Sequence, residues 1–198
     1  MINKSNLSNK FNLKPGGYES LIVYQQALVI SNLNHEFCER YLLEPKYRRT
    51  VEQMTQADRS GKQNIVEASL EKSLKANIKL TGVARASYGE LLEDYRDFLR
   101  FRKLELWDKN DPRVLEIRAL RVTSNKSNLS NLSNLSNWSN WTNSSERFAN
   151  LLITLISKEN YLLDQMLRSL EKKFIEEGGY SENLTKKRLT YLSNKSNE

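Results

Sequence analysis

From Phe148 to Phe174 the apolar residues fall at Phe148, Leu151, Leu152, Leu155, Ile156, Leu163, Met166, Leu167, Leu170 and Phe174. That is the i, i+3, i+4 spacing that lines one face of an α-helix. The pattern predicts a helix from about Ser145 to Glu177, stopped by Gly178 and Gly179. A stripe this long must be buried against partners of similar length, and the rest of the chain supplies them. One stretch runs from about Tyr18 to Leu43, with Leu21, Leu28, Phe37 and Tyr41 in line and Tyr24, Val29 and Leu33 widening it. A second opens at Pro45, which suits a first helical turn because its missing N–H would be unpaired there. It carries Val51, Met54, Ile65 and Ala68 on one side, and Gly61 marks a bend or a close helix contact. A third runs from about Leu74 to Leu104, with Ile78, Val83, Ala84, Leu91, Leu92, Tyr95, Phe98 and Leu99 as its stripe. A short helix is expected at "DPRVLEIRAL", with Asp111 as cap and Pro112 in the first turn.

No stretch shows sustained strand-like alternation. Four amphipathic helices of roughly 40–50 Å at 1.5 Å per residue can bury their stripes by packing side by side. The expected fold is all-α, an up-and-down four-helix bundle. Its expected organisation is a disordered segment over 1–16, three helices and the short helix over 17–122, a linker over 123–145, the fourth bundle helix over 146–178, and a final segment and tail over 179–198.

The linker holds the triplet tract "SNKSNLSNLSNLSNWSNWTNSS", Ser124 to Ser145. Ser and Asn compete for backbone hydrogen bonds and disfavour regular helix, so this composition predicts an unstructured insertion. Trp138 and Trp141 within it could stack on nucleic-acid bases. The N-x-S/T sequons at Asn128, Asn131 and Asn134 are by-products of the repeat.

The chain carries a formal charge of +7, and its basic residues are not spread evenly. From Lys46 to Arg85 there are nine Lys/Arg against four Asp/Glu, whereas residues 89–123 hold eight of each. The basic set Lys46, Arg48, Arg49, Arg59, Lys62, Lys72, Lys75 and Lys79 is therefore the candidate contact for a polyanion, RNA or DNA. Asp58, Asn64 and Glu67 lie near the apolar side of the second helix, where buried polar groups need partners. They are expected to form an interhelical hydrogen-bond network with Arg85 or Arg96, and Glu90 belongs to the same candidate set.

Catalytic and metal chemistry find little footing. A di-metal carboxylate bundle uses two Glu-x-x-His motifs, and His35 is the one histidine. His35 and Cys38 stand at i, i+3, but no further cluster completes a metal site or a nucleophile triad. "RSGKQN" at Arg59 to Asn64 lacks the second glycine and the Ser/Thr of a phosphate loop. No catalytic residue, metal or cofactor is assigned. With one cysteine no intrachain disulfide can form. No apolar run reaches the roughly 18 residues of a membrane span. No signal-peptide core precedes "KPGG". A cytoplasmic protein away from membranes is expected.

"RSGKQNIVEA" followed by "ARASYGELLEDYRDFLR" resembles the four-helix-bundle proteins encoded in intervening sequences of bacterial 23S ribosomal RNA genes. Asn64, Ile65 and Glu67 match that family's Asn-Ile-x-Glu-Gly motif, and Ser87, Glu90 and Leu91 its Ser-Leu-x-Glu-Leu motif. Ala68 replaces the usual glycine, and "SYGE" replaces "SLEE". "NYLLDQMLRSLEKKFIEEGGYSENL" resembles the subgroup with a four-helix-bundle suffix domain. The resemblance spans about 17–122 and 148–190 and passes over the triplet tract. It implies a non-enzymatic bundle. Through a distant likeness to the accessory variability protein of diversity-generating retroelements, it also implies a pentameric, basic homo-oligomer that works with nucleic acid and a reverse transcriptase or another protein partner. A structural scaffold for protein–protein contacts is the other function compatible with these residues.

Overall fold

A computed structural model describes residues 17–119 and 139–195. The N-terminal segment 1–16, most of the triplet tract (124–138, including Trp138) and the last three residues lie outside them. A 3₁₀ turn, Tyr18–Ser20, leads to α1 (Ile22–Tyr41). A second 3₁₀ turn, Pro45–Tyr47, leads to α2 (Arg48–Leu70). Then come α3 (Leu74–Phe101), the short α4 (Pro112–Ala119), α5 (Ser145–Glu177) and α6 (Tyr180–Lys195). Among the described residues there is no strand. The fold is an all-α bundle of α1, α2, α3 and α5, in which each helix packs against the next and α5 closes on α1. At one end, Arg102 after α3 donates to Tyr41 O at the close of α1, and Trp107 N donates to Asn150 in the second turn of α5. Neighbouring helices therefore run antiparallel, up and down.

Several boundaries differ from what the pattern predicts, each for a local reason. Leu21 adopts an extended conformation after the 3₁₀ turn, so α1 starts at Ile22 rather than Tyr18. The third helix stops at Phe101, not Leu104. Lys103 takes φ 55°, Leu104 N donates to Leu99 O and Lys103 N donates to Arg100 O. These are the two bonds of a Schellman cap, made here with lysine in the left-handed position usually held by glycine. Ser73 and Ser144 cap α3 and α5, accepting from Ala76 N and Arg147 N.

The core runs the length of the bundle. Phe37, Met54, Ile65, Tyr88, Leu91, Tyr95, Phe148, Leu151 and Leu163 are all essentially inaccessible. Val83, counted in the stripe of the third helix, is instead 40 % exposed. The last residues of the triplet tract are also better ordered than its composition predicts. Trp141 packs against Trp107 with ring centroids 6.3 Å apart, and Thr142 is buried. Thr142 O accepts from Arg40 and from Tyr41 at the end of α1. The insertion is pinned to the bundle before α5 begins, and Trp141 is engaged there rather than free to stack on a base.

Gly61 is a close helix contact, as one of its two sequence readings has it. A Cβ on Gly61 would lie 2.7 Å from Cε2 of Tyr88, a fully buried ring of α3. Overpacking of this kind costs about 1–3 kcal/mol, against about 1 kcal/mol regained by removing glycine from a helix interior. Gly61→Ala is expected to lower stability, read by urea unfolding, by a net of up to about 2 kcal/mol. In a Tyr88→Leu background, where the ring is gone, the same change should stabilise. A stabilised Gly61→Ala in the parent protein would show that the two helices do not approach this closely.

Candidate nucleic-acid interface

The predicted basic residues do not share one face. Arg48, Arg59 and Lys62 fall on the flank of α2 nearer α1, because residues three, four, seven and eleven apart align on a helix. Arg48 is ion-paired with Glu52 at 3.0 Å. Lys46, in the preceding turn, is paired with Glu44 at 2.7 Å. Lys62 folds onto the bundle, its Nζ 2.8 Å from Ser31 Oγ. Arg49 stands on the other flank, in the groove between α2 and α3. Arg59 is exposed. Lys72, Lys75 and Lys79 are exposed in the α2–α3 link and the first turns of α3. These four make no ion pair among the described residues.

The structure adds cations that sequence order hides. Lys173 of α5 and Lys187 of α6 line one cleft with Lys72, of about 530 Å³, which also takes in Glu71 and Glu177. The antiparallel order brings the C-terminal end of α5 beside the N-terminal end of α3, and Gly178, at φ 76°, turns the chain so that α6 starts there. Lys72, Lys173 and Lys187 thus meet at one end of the bundle, Lys173 paired with Glu177 at 3.9 Å, while Lys75 and Lys79 lie in the first turns of α3 without lining the cleft.

The predicted polar network does not form as one unit. Asp58 is buried and accepts from Ser31 Oγ at 2.7 Å, so it bonds to α1 and not to Arg85 or Arg96. Burial pushes its carboxyl up, opposed by the Ser31 hydrogen bond and the charge of Lys62. Asn64 donates to Ser60 O within its own helix. Arg85 pairs with Asp164 of α5 at 2.9 Å, and Arg96 with Glu93. Glu67 and Glu90 are exposed. Polar helix-two residues near an apolar stripe look alike in sequence, and only their angle about the axis separates an inward Asp58 from an outward Glu67.

His35 is exposed and pairs with Glu39 at 3.1 Å, while Cys38 is buried. Burial first, then the charges of Asp58, Asp94 and Glu39, push the Cys38 thiol up to about 12. A thiol held protonated in this way is a poor nucleophile and a poor ligand. Among the described residues no group of three His, Cys, Asp or Glu is placed to hold a metal ion, and no helix is long and apolar enough to cross a membrane.

Opposite in character to the basic end, the groove between α2 and α3 has a volume of about 1180 Å³ and an acidic rim of Glu52, Glu90, Glu93 and Asp94. Asp94 is pushed up by burial, and further by the like charges of Asp97 and Glu90. Its floor consists of small residues, and an added Cβ at Gly89 would meet nothing nearer than Arg85 Nη1 at 3.6 Å. Comparison with known proteins finds no family model, no curated protein and no solved structure that this chain matches.

Sequence reasoning passed over Glu159. It is fully buried on α5, and neither carboxylate oxygen has a hydrogen-bond partner. Burial raises its carboxyl well above the usual range, opposed by the charge of Lys158. An unfolded glutamate ionises near pH ~4.3, whereas folded Glu159 keeps its proton to higher pH. In that window the folded state binds more protons, so stability falls as pH rises, with a slope of up to about 1.4 kcal/mol per pH unit. Glu159→Gln removes this titration. Its stability advantage over the parent, read by urea unfolding, should be small near pH ~4 and grow toward pH ~7. Parallel stability profiles across that range would contradict the burial of Glu159.

Proposed function

We propose that this protein is a non-enzymatic, homo-oligomeric four-helix bundle of the cytoplasm that binds RNA or DNA through its basic end. The observation that carries the reading is the set Lys72, Lys75 and Lys79. They are exposed and without an ion-pair partner among the described residues, and Lys72 lines the cleft that Lys173 and Lys187 also line. Uncommitted lysines are free to neutralise phosphates, and phosphate contacts give affinity with little base discrimination. Lys46, Arg48 and Lys62 are already engaged with Glu44, Glu52 and Ser31, so their part in binding is secondary. The resemblance of the second and third helices to the intervening-sequence proteins of 23S ribosomal RNA genes supports the same function. It suggests an accessory role in a retroelement-type assembly, with a reverse transcriptase as one candidate partner.

A protein–protein scaffold is the second reading, favoured by the exposed Leu184, Leu189, Tyr191 and Leu192 of α6. Gel-shift titrations with structured RNA and with duplex DNA separate the two. Lys72→Glu/Lys75→Glu/Lys79→Glu is expected to weaken binding at least tenfold, while Lys46→Glu/Arg48→Glu changes it less than threefold. Unchanged binding by the first variant, or absence of binding by the parent protein, would remove the nucleic-acid reading.

A further inference from the structure

Helix α6 spans 16 residues without a single buried one, yet an isolated helix of that length is marginal in water and draws its stability from packing. Tyr180, Asn183 and Lys187, at i, i+3 and i+7, face the basic cleft. The opposite face presents Thr185, Leu189 and Leu192, again at i, i+4 and i+7. Leu189 and Leu192 are 60 % and 45 % exposed, with Lys186 and Arg188 on either side. The helix carries four cations, Lys186, Lys187, Arg188 and Lys195, against Glu182.

The α2–α3 groove is the complement of that face. Its rim holds Glu52, Glu90, Glu93 and Asp94 against Arg49; Glu52 is paired with Arg48 and Glu93 with Arg96, which leaves Glu90 and Asp94 as the acids open to a partner. Its floor of Ala57, Ser60, Ala86 and Gly89, with the exposed Val83, leaves room for a helix to approach closely. The lining runs from Arg49 to Ser60 on α2 and from Val83 to Asp94 on α3, about 17 Å on each against about 24 Å for α6.

We propose that α6 docks into the α2–α3 groove of a second copy of this chain, with Leu189 and Leu192 on the floor and Lys186 and Arg188 against the acidic rim. This rests on the homo-oligomeric part of the function proposed above and gives it a contact. The two-residue link through Gly178 and Gly179 holds the start of α6 beside Lys72 and Leu74, and the groove begins about 14 Å further along α3. The contact is therefore made between chains. Because the two surfaces differ, the contact closes either reciprocally, each α6 in the other copy's groove, or head to tail as a ring.

The test reads mass by light scattering, without nucleic acid, over ~1 to ~100 µM chain. The parent protein is expected to assemble. Lys186→Glu/Arg188→Glu and Glu90→Lys/Glu93→Lys should each fall to the 23.1 kDa of one chain, and mixing the two should restore assembly, since each surface then meets an opposite charge. Gly89→Trp, which fills the groove without changing its charge, should also dissociate the assembly while keeping its helical circular dichroism. Parent-like mass in all three variants overturns this contact but leaves the oligomer standing. A parent protein that stays at one chain's mass overturns both.

Discussion

Phe37 ties the bundle together. Its ring stands 5.0 Å from Tyr95 and 4.8 Å from Phe98 on α3, 5.4 Å from Phe148 on α5, and 5.3 Å from Tyr41 on its own helix. Three of these pairs are edge-on, the geometry that the aromatic quadrupole favours. The same cluster fixes register, because the Tyr95 hydroxyl donates to Asn34 Oδ1 at 2.7 Å within the core. With α1, α3 and α5 joined at one end, α2 is held by a different device, the seating of Gly61 against Tyr88. A bundle fixed in these two places leaves its surfaces to differ, and they do: a basic end around Lys72, an acidic groove on the α2–α3 flank, and an unpacked α6.

The helices were legible in the sequence because burial imposes a 3.6-residue period, and Phe148 to Met166 displays it directly. Their ends were less so. The stop after Phe101 depends on Lys103 taking a positive φ, and no glycine signals it. Val83 shows the limit of an apolar residue as a core marker, since it lies on the groove side of α3. The end of the triplet tract misleads in the other direction. Thr142 and Trp141 share the composition of the repeat, but α1 and the Trp107 segment happen to offer them a seat.

The candidate site was legible only in part. The sequence showed where cations concentrate, not how they divide. Arg48 and Arg49 are adjacent in the chain yet occupy opposite flanks of α2. Lys72 and Lys173, a hundred residues apart, line one cleft. The first fact follows from the helical turn, and the second from the antiparallel order of helices, which a linear reading does not contain. The acidic groove was hidden for the same reason, because Glu52, Glu90, Glu93 and Asp94 come from two helices whose overall charge is not acidic.

In the function proposed above, the lysines at one end of this all-helical body hold the phosphates of a nucleic acid. The salt dependence of binding tests that claim most directly. Affinity of the parent protein for structured RNA and for duplex DNA would be measured between ~50 and ~200 mM salt, where each neutralised phosphate releases counterions and steepens the loss. Three to five contacts through Lys72, Lys75, Lys79 and their neighbours predict log–log slopes of about −2 to −4.5, at roughly −0.7 to −0.9 per phosphate. A slope near zero, or no binding at the lowest salt, would contradict it.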